Sequence, residues 1–317
     1  MRAVILDVKG MEDFDLSPIS KWVDELVVYE LTPLEIISER MQGFDIVITN
    51  KTLLDHASIT SSSELKLICV LATGTNVVDK AAAASRGIPV CNAVAYGVDS
   101  VVQHVFSLIL ALHTNLLTYH SDVQRGQWQK SEQFCFLDHP IIELKGRTLG
   151  IIGYGNLGRG VARIAEAFGM RVLVSESFIS GSTGSDGRVP FSQILAESDV
   201  ITLHCPLTEQ TENLFNAKTL SSMKAGAFLI NAARGGIVDE SALVEALQNG
   251  HLAGAAVDVL TQEPPLNGNV LLDVSLPNLI VTPHIAWGSS EARERIIQQT
   301  GENIEGFINN QLVHEVH

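Results

Sequence analysis

Short apolar runs alternate with stretches in which apolar residues recur every three or four positions. In the first 98 residues the runs are Ala3–Asp7, Asp45–Thr49, Leu67–Leu71 and Gly87–Cys91, and each reads as a strand. Further on, Thr148–Ile152, Arg171–Glu176, Val200–His204, Gly226–Asn231, Ala253–Asp258 and Leu279–Thr282 read the same way. Between them, Leu157, Val161, Ile164, Ala165 and Phe168 mark one helix face, with Gly169 as its C-terminal stop. Helices are also predicted around Phe191–Glu197, from an Asp239 cap to about Gln248 with Gly250 closing it, and through Ile296, Ile297, Ile304 and Phe307. Ser177–Gly187 is Gly/Ser-rich and reads as a surface loop. Strands that alternate with helices imply parallel sheets covered on both faces.

One segment breaks the rhythm. From Ser100 to about Thr118 the chain is apolar nearly all round, which predicts a helix buried on every side, at a domain or subunit interface. Residues 119–147 are polar and irregular but carry Trp128, Phe134, Phe136 and Pro140, the pattern of an arm packed on a partner.

The 317 residues suggest two domains, and 46% hydrophobic against 18% charged residues gives enough apolar surface for large cores. A net charge of −15 argues against nucleic acid or an anionic membrane surface as partner, so an anionic substrate needs local cations. No run approaches the length of a membrane helix, and Met1–Asp7 is too short and too quickly acidic for a signal peptide. Cys69, Cys91, Cys135 and Cys205 form no C-x-x-C and read as reduced thiols of a cytoplasmic protein. The ten histidines show no metal-ligand spacing, so no metal is expected.

Charge and composition leave open what the sheets hold; the glycines narrow it. Gly153, Gly155 and Gly158 form G-x-G-x-x-G between a predicted strand and a predicted helix. There the first glycine permits a tight turn, the second lets a pyrophosphate approach the backbone, and the third lets helix and strand pack closely. The helix N-terminus then faces the anion. Glu176 lies 18 residues past Gly158, where a carboxylate accepts from ribose hydroxyls and repels a 2′-phosphate. No basic residue follows until Arg188, which favours NAD over NADP. The first 98 residues have no such fingerprint.

Three polar residues sit just past predicted strand ends: Arg234, Glu263 and His284. In an open parallel sheet, ligands bind in the crevice beyond those ends. A histidine to move a proton, a carboxylate to orient it and an arginine to hold an anion suit proton-coupled hydride transfer. Asp258 also ends a strand, either accepting from a nicotinamide carboxamide or serving as a turn acid. Glycine in Ala72-Thr-Gly-Thr-Asn76 can offer N–H groups to a carboxylate. Lys51 is either a local cation or a solvated surface lysine; His104 reads as a satisfied core or interface histidine, and His204 as lining the adenosine side.

These residues resemble a family, the D-isomer-specific 2-hydroxyacid dehydrogenases. Gly150–Gly158, Leu203–Thr208, Met223–Gly226, Ile230–Asp239, Asp258 with Glu263-Pro264, and Thr282–Ala286 come in that family's order and spacing, and the resemblance covers essentially the whole chain. Leu71–Asp79, Ser100–His104, Trp128-Gln129, Gln133–Cys135 and His284–Trp287 are most similar to the glycerate dehydrogenase (hydroxypyruvate reductase) branch. The resemblance implies an α/β fold of two doubly wound parallel-sheet domains, Rossmann-like and flavodoxin-like, with the active-site cleft between them. Residues 1–98 plus 289–317 would bind substrate; residues 99–288 would bind NAD and carry a dimerisation helix and arm at 100–145.

The resemblance also implies site roles. Arg234 binds the substrate carboxylate and carbonyl oxygen, His284 is the acid or base, and Glu263 hydrogen-bonds it. Backbone groups of Thr73, Gly74 and Thr75 take the substrate carboxylate. Gly153, Gly155, Asn156, Leu157 and Gly158 hold the pyrophosphate and Glu176 the ribose. Cys205 and Thr211 line the adenosine half, and Ala232 and Asp258 the nicotinamide. Ala232 stands where Thr or Ser is commoner, Ser175-Glu176 where Tyr-Asp is frequent, and Gln103 where Glu is frequent; none removes a catalytic group. The expected activity is interconversion of hydroxypyruvate and D-glycerate in a cytoplasmic homodimer. The alternatives are reduction of glyoxylate, pyruvate or another 2-keto acid, and an NADH-sensing binding protein like this family's corepressors.

Overall fold

In a computed structural model, residues 1–178 and 187–316 are described, and residues 179–186 of the expected Gly/Ser-rich loop lie outside them. The chain forms two compact units, Met1–Gly97 with Gly288–His317, and Val98–Trp287.

The first unit begins with β1 (Arg2–Ile5), α1 (Ser17–Ser20), β2 (Glu25–Val28), α2 (Ile37–Met41), β3 (Ile46–Thr49), α3 (His56–Ser61), β4 (Leu67–Val70), α4 (Lys80–Ser85) and β5 (Val90–Cys91). Its strands are parallel, in the order β2-β1-β3-β4-β5. Every residue of β3 and β4 is buried, as both faces of a covered parallel strand require. β2 carries no clear signal in the sequence because it is an edge strand whose residues are half-buried or exposed. Strand order reverses between β1 and β3. There the buried carboxylate of Asp7 accepts from the N–H groups of Asn50 (2.9 Å), Lys51 (2.5 Å) and Thr52 (3.3 Å) and from the Thr49 hydroxyl (3.1 Å).

The second unit starts with α5 (Val98–Thr114) and α6 (Leu116–Gln124). It continues through β6 (Thr148–Ile152), α7 (Asn156–Ala167), β7 (Arg171–Val174), α8 (Phe191–Glu197) and β8 (Val200–Leu203). Then come α9 (Ala217–Ser221), β9 (Ala227–Asn231), α10 (Glu240–Gln248), β10 (Leu252–Val257) and β11 (Leu279–Val281). The parallel order is β11-β10-β9-β8-β6-β7, extended past β7 by a parallel bridge from Ser175 to Val189. One core cluster packs α5 and α7 on one face of this sheet, through Val102, Val105, Ile109, Val161 and Ala165. Another packs α8, α9 and α10 on the other face, around Ile194, Leu220 and Leu243.

The single buried helix expected over 100–118 is corrected by the structure. It stops at Asn115, which adopts φ +50°, and α6 leaves at 61° to α5. Asparagine tolerates this left-handed conformation better than most residues. The break turns Leu116 and Leu117 outward, and Gln103 and Ser107 leave α5 with one exposed face. Residues 119–124, expected to be irregular, are helical. Among the described residues no single helix is long and apolar enough to cross a membrane.

The last helix, α11 (Ser290–Ile308), belongs to the first unit. Ser289 caps it by accepting from Ala292 N–H at 3.2 Å. A Cβ on Gly301 would lie 2.2 Å from the Pro18 carbonyl oxygen, so only glycine lets α11 cross α1 this closely. Further along, Gln299 pairs with both backbone groups of Val94, and Asn303 donates to Asn92 O.

Candidate active site

The second sheet reverses order between β6 and β8, and the glycine turn sits there. Gly153 follows β6 at φ +94°, and a Cβ on it would stand 2.5 Å from the Cys205 nitrogen and the His204 carbonyl carbon. A Cβ on Gly158 would stand 2.2 Å from the Gly153 oxygen, so α7 can begin here only against a bare backbone. Gly155 differs: nothing lies within 4 Å of where its Cβ would be. The open space lies over the first turn of α7, whose leading N–H groups have no carbonyl one turn back. That space could cradle an anion against Gly153, Gly155, Asn156, Leu157 and Gly158.

Around it, Glu176 is exposed just past β7 and accepts from Phe191 N–H at 3.2 Å, at the start of α8. Cys205 is buried, and burial pushes its thiol up to about 11. The His204 ring is buried as well, which lowers its pKa to about 4 and keeps it neutral. Thr211 is buried and committed to its own turn, donating to Pro206 O (2.7 Å) and accepting from Thr208 N–H (2.8 Å). It therefore shapes the wall after Cys205.

A histidine–carboxylate pair stands at the other end of the same sheet edge. β9, β10 and β11 are neighbours, with Asn231, Val257 and Val281 in one row. Arg234 lies three residues past that row on β9, Asp258 one past on β10, and His284 three past on β11. His284 Nδ1 meets Glu263 Oε2 at 2.6 Å. The other Glu263 oxygen accepts from Leu260 N–H at 2.7 Å. Burial would raise the Glu263 pKa, but the hydrogen bonds from His284 and Leu260 outweigh it and hold the carboxyl below its ordinary value. An ionised carboxylate only accepts, so Nδ1 carries a proton and Nε2 is left to exchange one.

Arg234 is exposed, and its turn is folded by Asn231, which donates to Arg234 O (3.0 Å) and accepts from Ala233 N–H (3.1 Å). Nη1 of Arg234 donates to Ala233 O at 2.7 Å. A Cβ on Gly235 would fall 2.0 Å from the Leu260 carbonyl carbon, so this turn lies directly against the segment leading to Glu263. Ala232 is half-buried beside it.

Asp258 is only 1% exposed, and both its oxygens are occupied from within. Oδ1 accepts from the Thr282 hydroxyl (2.5 Å) and Ile285 N–H (3.0 Å), and Oδ2 from Ala286 N–H (2.9 Å). Burial opposes the charge, but the hydrogen bonds from His104, Thr282, Ala286 and Ile285 prevail and its pKa is lowered. Its backbone carbonyl accepts from His284 N–H at 2.7 Å. Asp258 thus pins the turn on which His284 sits at φ +55°, a conformation that costs a non-glycine residue about 1–3 kcal/mol. Trp287 Nε1 donates to His284 O at 3.0 Å and closes the turn. Asn231 and Thr282 lie inside the motif runs Ile230–Asp239 and Thr282–Ala286, but their roles appear only in the hydrogen bonds they make.

In the first unit, Thr73, Gly74 and Thr75 follow β4. The Thr73 hydroxyl donates to Ala93 O (2.8 Å), and Asn92 Nδ2 donates to Thr73 O (2.7 Å). Thr75 is buried and accepts from Val78 N–H (3.0 Å). Since α11 holds Asn92 and Val94, the loop's shape depends on the C-terminal helix.

A parallel sheet with a dinucleotide cradle at its switch point, and a histidine–carboxylate pair beyond neighbouring strands, defines a nicotinamide-dependent dehydrogenase. Residues 106–286 match the family model of the NAD-binding domain of D-isomer-specific 2-hydroxyacid dehydrogenases, and the chain belongs to that family. It is 50% identical over 277 residues to a glycerate dehydrogenase of Methylorubrum extorquens, covering 87% of this chain and 86% of the relative. A hydroxypyruvate reductase of Blautia hydrogenotrophica is 37% identical over 316 residues, covering 98% and 95%. The structure is also similar to that of Aquifex aeolicus D-lactate dehydrogenase complexed with NAD and lactic acid, at 28% identity and TM-score 0.82, covering 98% and 96%.

Proposed function

We propose that this enzyme interconverts hydroxypyruvate and D-glycerate with NAD(H). The observation that carries the proposal is the His284–Glu263 hydrogen bond at the strand ends of a sheet whose switch point bears an open anion cradle. The similarity to a glycerate dehydrogenase and to a hydroxypyruvate reductase selects the substrate. The cradle fits a dinucleotide: the space over Gly155 is clear, and Gly153 and Gly158 have no room for side chains. Gly153, Gly155, Asn156, Leu157 and Gly158 would hold the pyrophosphate and Glu176 the ribose. Cys205 and Thr211 would wall the adenosine half, and Ala232 and Asp258 the nicotinamide. NADH, when bound, supplies a hydride to the keto carbon.

The protein's own residues do the rest. Arg234 holds the substrate carboxylate and polarises the carbonyl oxygen as a bidentate donor. In the first unit, Thr73, Gly74 and Thr75 supply backbone groups suited to a substrate carboxylate. Nε2 of protonated His284 gives its proton to the developing alkoxide, and Glu263 keeps the ring oriented. Oxidation runs the same transfer backwards. Negative charge at Glu176 repels a 2′-phosphate and supports NAD over NADP.

Purified protein is expected to oxidise NADH with hydroxypyruvate at a higher kcat/KM than with glyoxylate, pyruvate or a bulkier keto acid. In the same assay NADPH should be the poorer donor. His284→Ala should lower kcat by roughly 10²–10⁴-fold while NADH still binds. Negligible turnover with every keto acid, alongside tight NADH binding, would instead mark a sensor of the NADH/NAD ratio. We also place the enzyme as a cytoplasmic homodimer. The four free cysteines support the compartment. The exposed apolar side chains of α6 and the arm after it support the dimer.

A further inference from the structure

We infer that His104 is a positioning residue that holds the His284 turn through Thr282 and Asp258. His104 lies on α5, and its Nε2 stands 3.1 Å from the Thr282 hydroxyl and 3.5 Å from Asp258 Oδ1. Threonine has one hydroxyl proton, and here it goes to Asp258. Its oxygen can then only accept from His104, so Nε2 must carry a proton. The direction of the chain is therefore fixed: imidazole N–H to hydroxyl, hydroxyl to carboxylate. The carboxylate in turn receives the N–H groups of Ile285 and Ala286, the two residues after His284. A donor at position 104 completes a network in which each member has its partner. Without that donor, Thr282 loses the contact that directs its proton, and the carboxylate loses its grip on a turn held at φ +55°. The His104 side chain is mostly buried and its Nε2 faces Thr282 and Asp258, so its role is transmitted, not direct.

This inference rests on the assignment of His284 as the proton donor, but its test has an arm that does not. In the protein without NAD, hydrogen–deuterium exchange of the segment spanning Ile285 and Ala286 reports the turn directly. His104→Phe, which keeps bulk and loses the donor, should speed that exchange by about ten-fold or more. It should also lower kcat by roughly 10-fold with little change in KM, since the acid is displaced and binding is not. His104→Gln, which restores an N–H donor, should recover most of both; a side chain that only fills space would be replaced better by Phe than by Gln. Thr282→Val should reproduce the Phe variant, and the double variant should be no worse than either single one. Should His104→Phe fail to fold, Thr282→Val and His104→Gln carry the test. Wild-type exchange in Thr282→Val, or a Gln variant as impaired as Phe, would overturn the inference. Wild-type protein inert toward every keto acid would sink the assignment of His284 and leave the exchange result standing.

Discussion

At Gly153 and Gly155 the same residue type serves two different ends. Gly153 needs φ +94° and has backbone where a Cβ would go, whereas Gly155 has empty space. Gly153→Ala should therefore lose both stability, by at least about 1–3 kcal/mol, and NADH affinity. Gly155→Ala should melt like the wild type yet bind NADH weakly, because its methyl group fills the cradle. Thermal midpoints and NADH fluorescence titration separate the two, and equal melting losses would refute the distinction. Glu263 gives a second residue-scale prediction. Its carboxyl is held below the ordinary range by His284 and Leu260 despite burial, so it stays ionised throughout the working range. Glu263→Gln removes the ionised acceptor that orients Nδ1 of His284. In that variant kcat for hydroxypyruvate should fall roughly 10-fold or more with little change in KM. Steady-state kinetics of the variant check this, and an unchanged kcat would refute the orienting role.

At the level of elements, the sheet is fastened at its amino ends by Asp199, between α8 and β8. It accepts from Thr148 N–H (2.8 Å) and from Lys224 Nζ (2.8 Å), with Arg147 at 3.4 Å. Burial would raise its pKa, but these donors prevail and the folded-state value is lowered. A lowered folded value means stability that is present above the ordinary carboxylate range and lost as pH falls through the folded value. Asp199→Asn should cost about 1–3 kcal/mol near neutrality and flatten the acid side of the stability curve. Denaturant midpoints at neutral and acidic pH read both effects. Elements with continuous apolar runs, β3, β4 and β6 among them, were plain in the sequence because both their faces are buried. β2 was not, since an edge strand half-exposes its residues. Nor was the bend at Asn115: the apolar pattern runs through it, and only the burial of α5 alone shows which turns belong to the core.

For the whole molecule, the first unit is closed by a helix from the far end of the chain, so residues 1–97 expressed without 288–317 should not fold to a stable domain. Gln299 and Asn303 on that helix hold the segment that shapes the Thr73–Thr75 loop. The proposed dimer belongs at this scale too. Leu116 is 59%, Leu117 55%, Phe134 89% and Leu137 74% exposed in the single chain, more apolar surface in one stretch than a lone protein usually tolerates. Light scattering should give twice the chain mass, and Leu117→Glu with Phe134→Ser should give the monomer. A monomeric wild type would refute that placement.

By itself, the sequence determined the parallel strand–helix alternation, the glycine turn and the residues past the strand ends. These are local signals: apolar period, φ demands and chemistry at fixed spacing are written within a few residues of each other. It also carried the family, through motifs in a fixed order. Only the tertiary structure decided what each polar group is committed to. Thr211 faces its own turn, and Asp258 spends both oxygens on the loop of His284. His104, which sequence alone reads as a satisfied core or interface histidine, meets Thr282 across 178 positions of chain. Such pairings depend on which strands lie side by side, and the spacing of residues along the chain does not encode that.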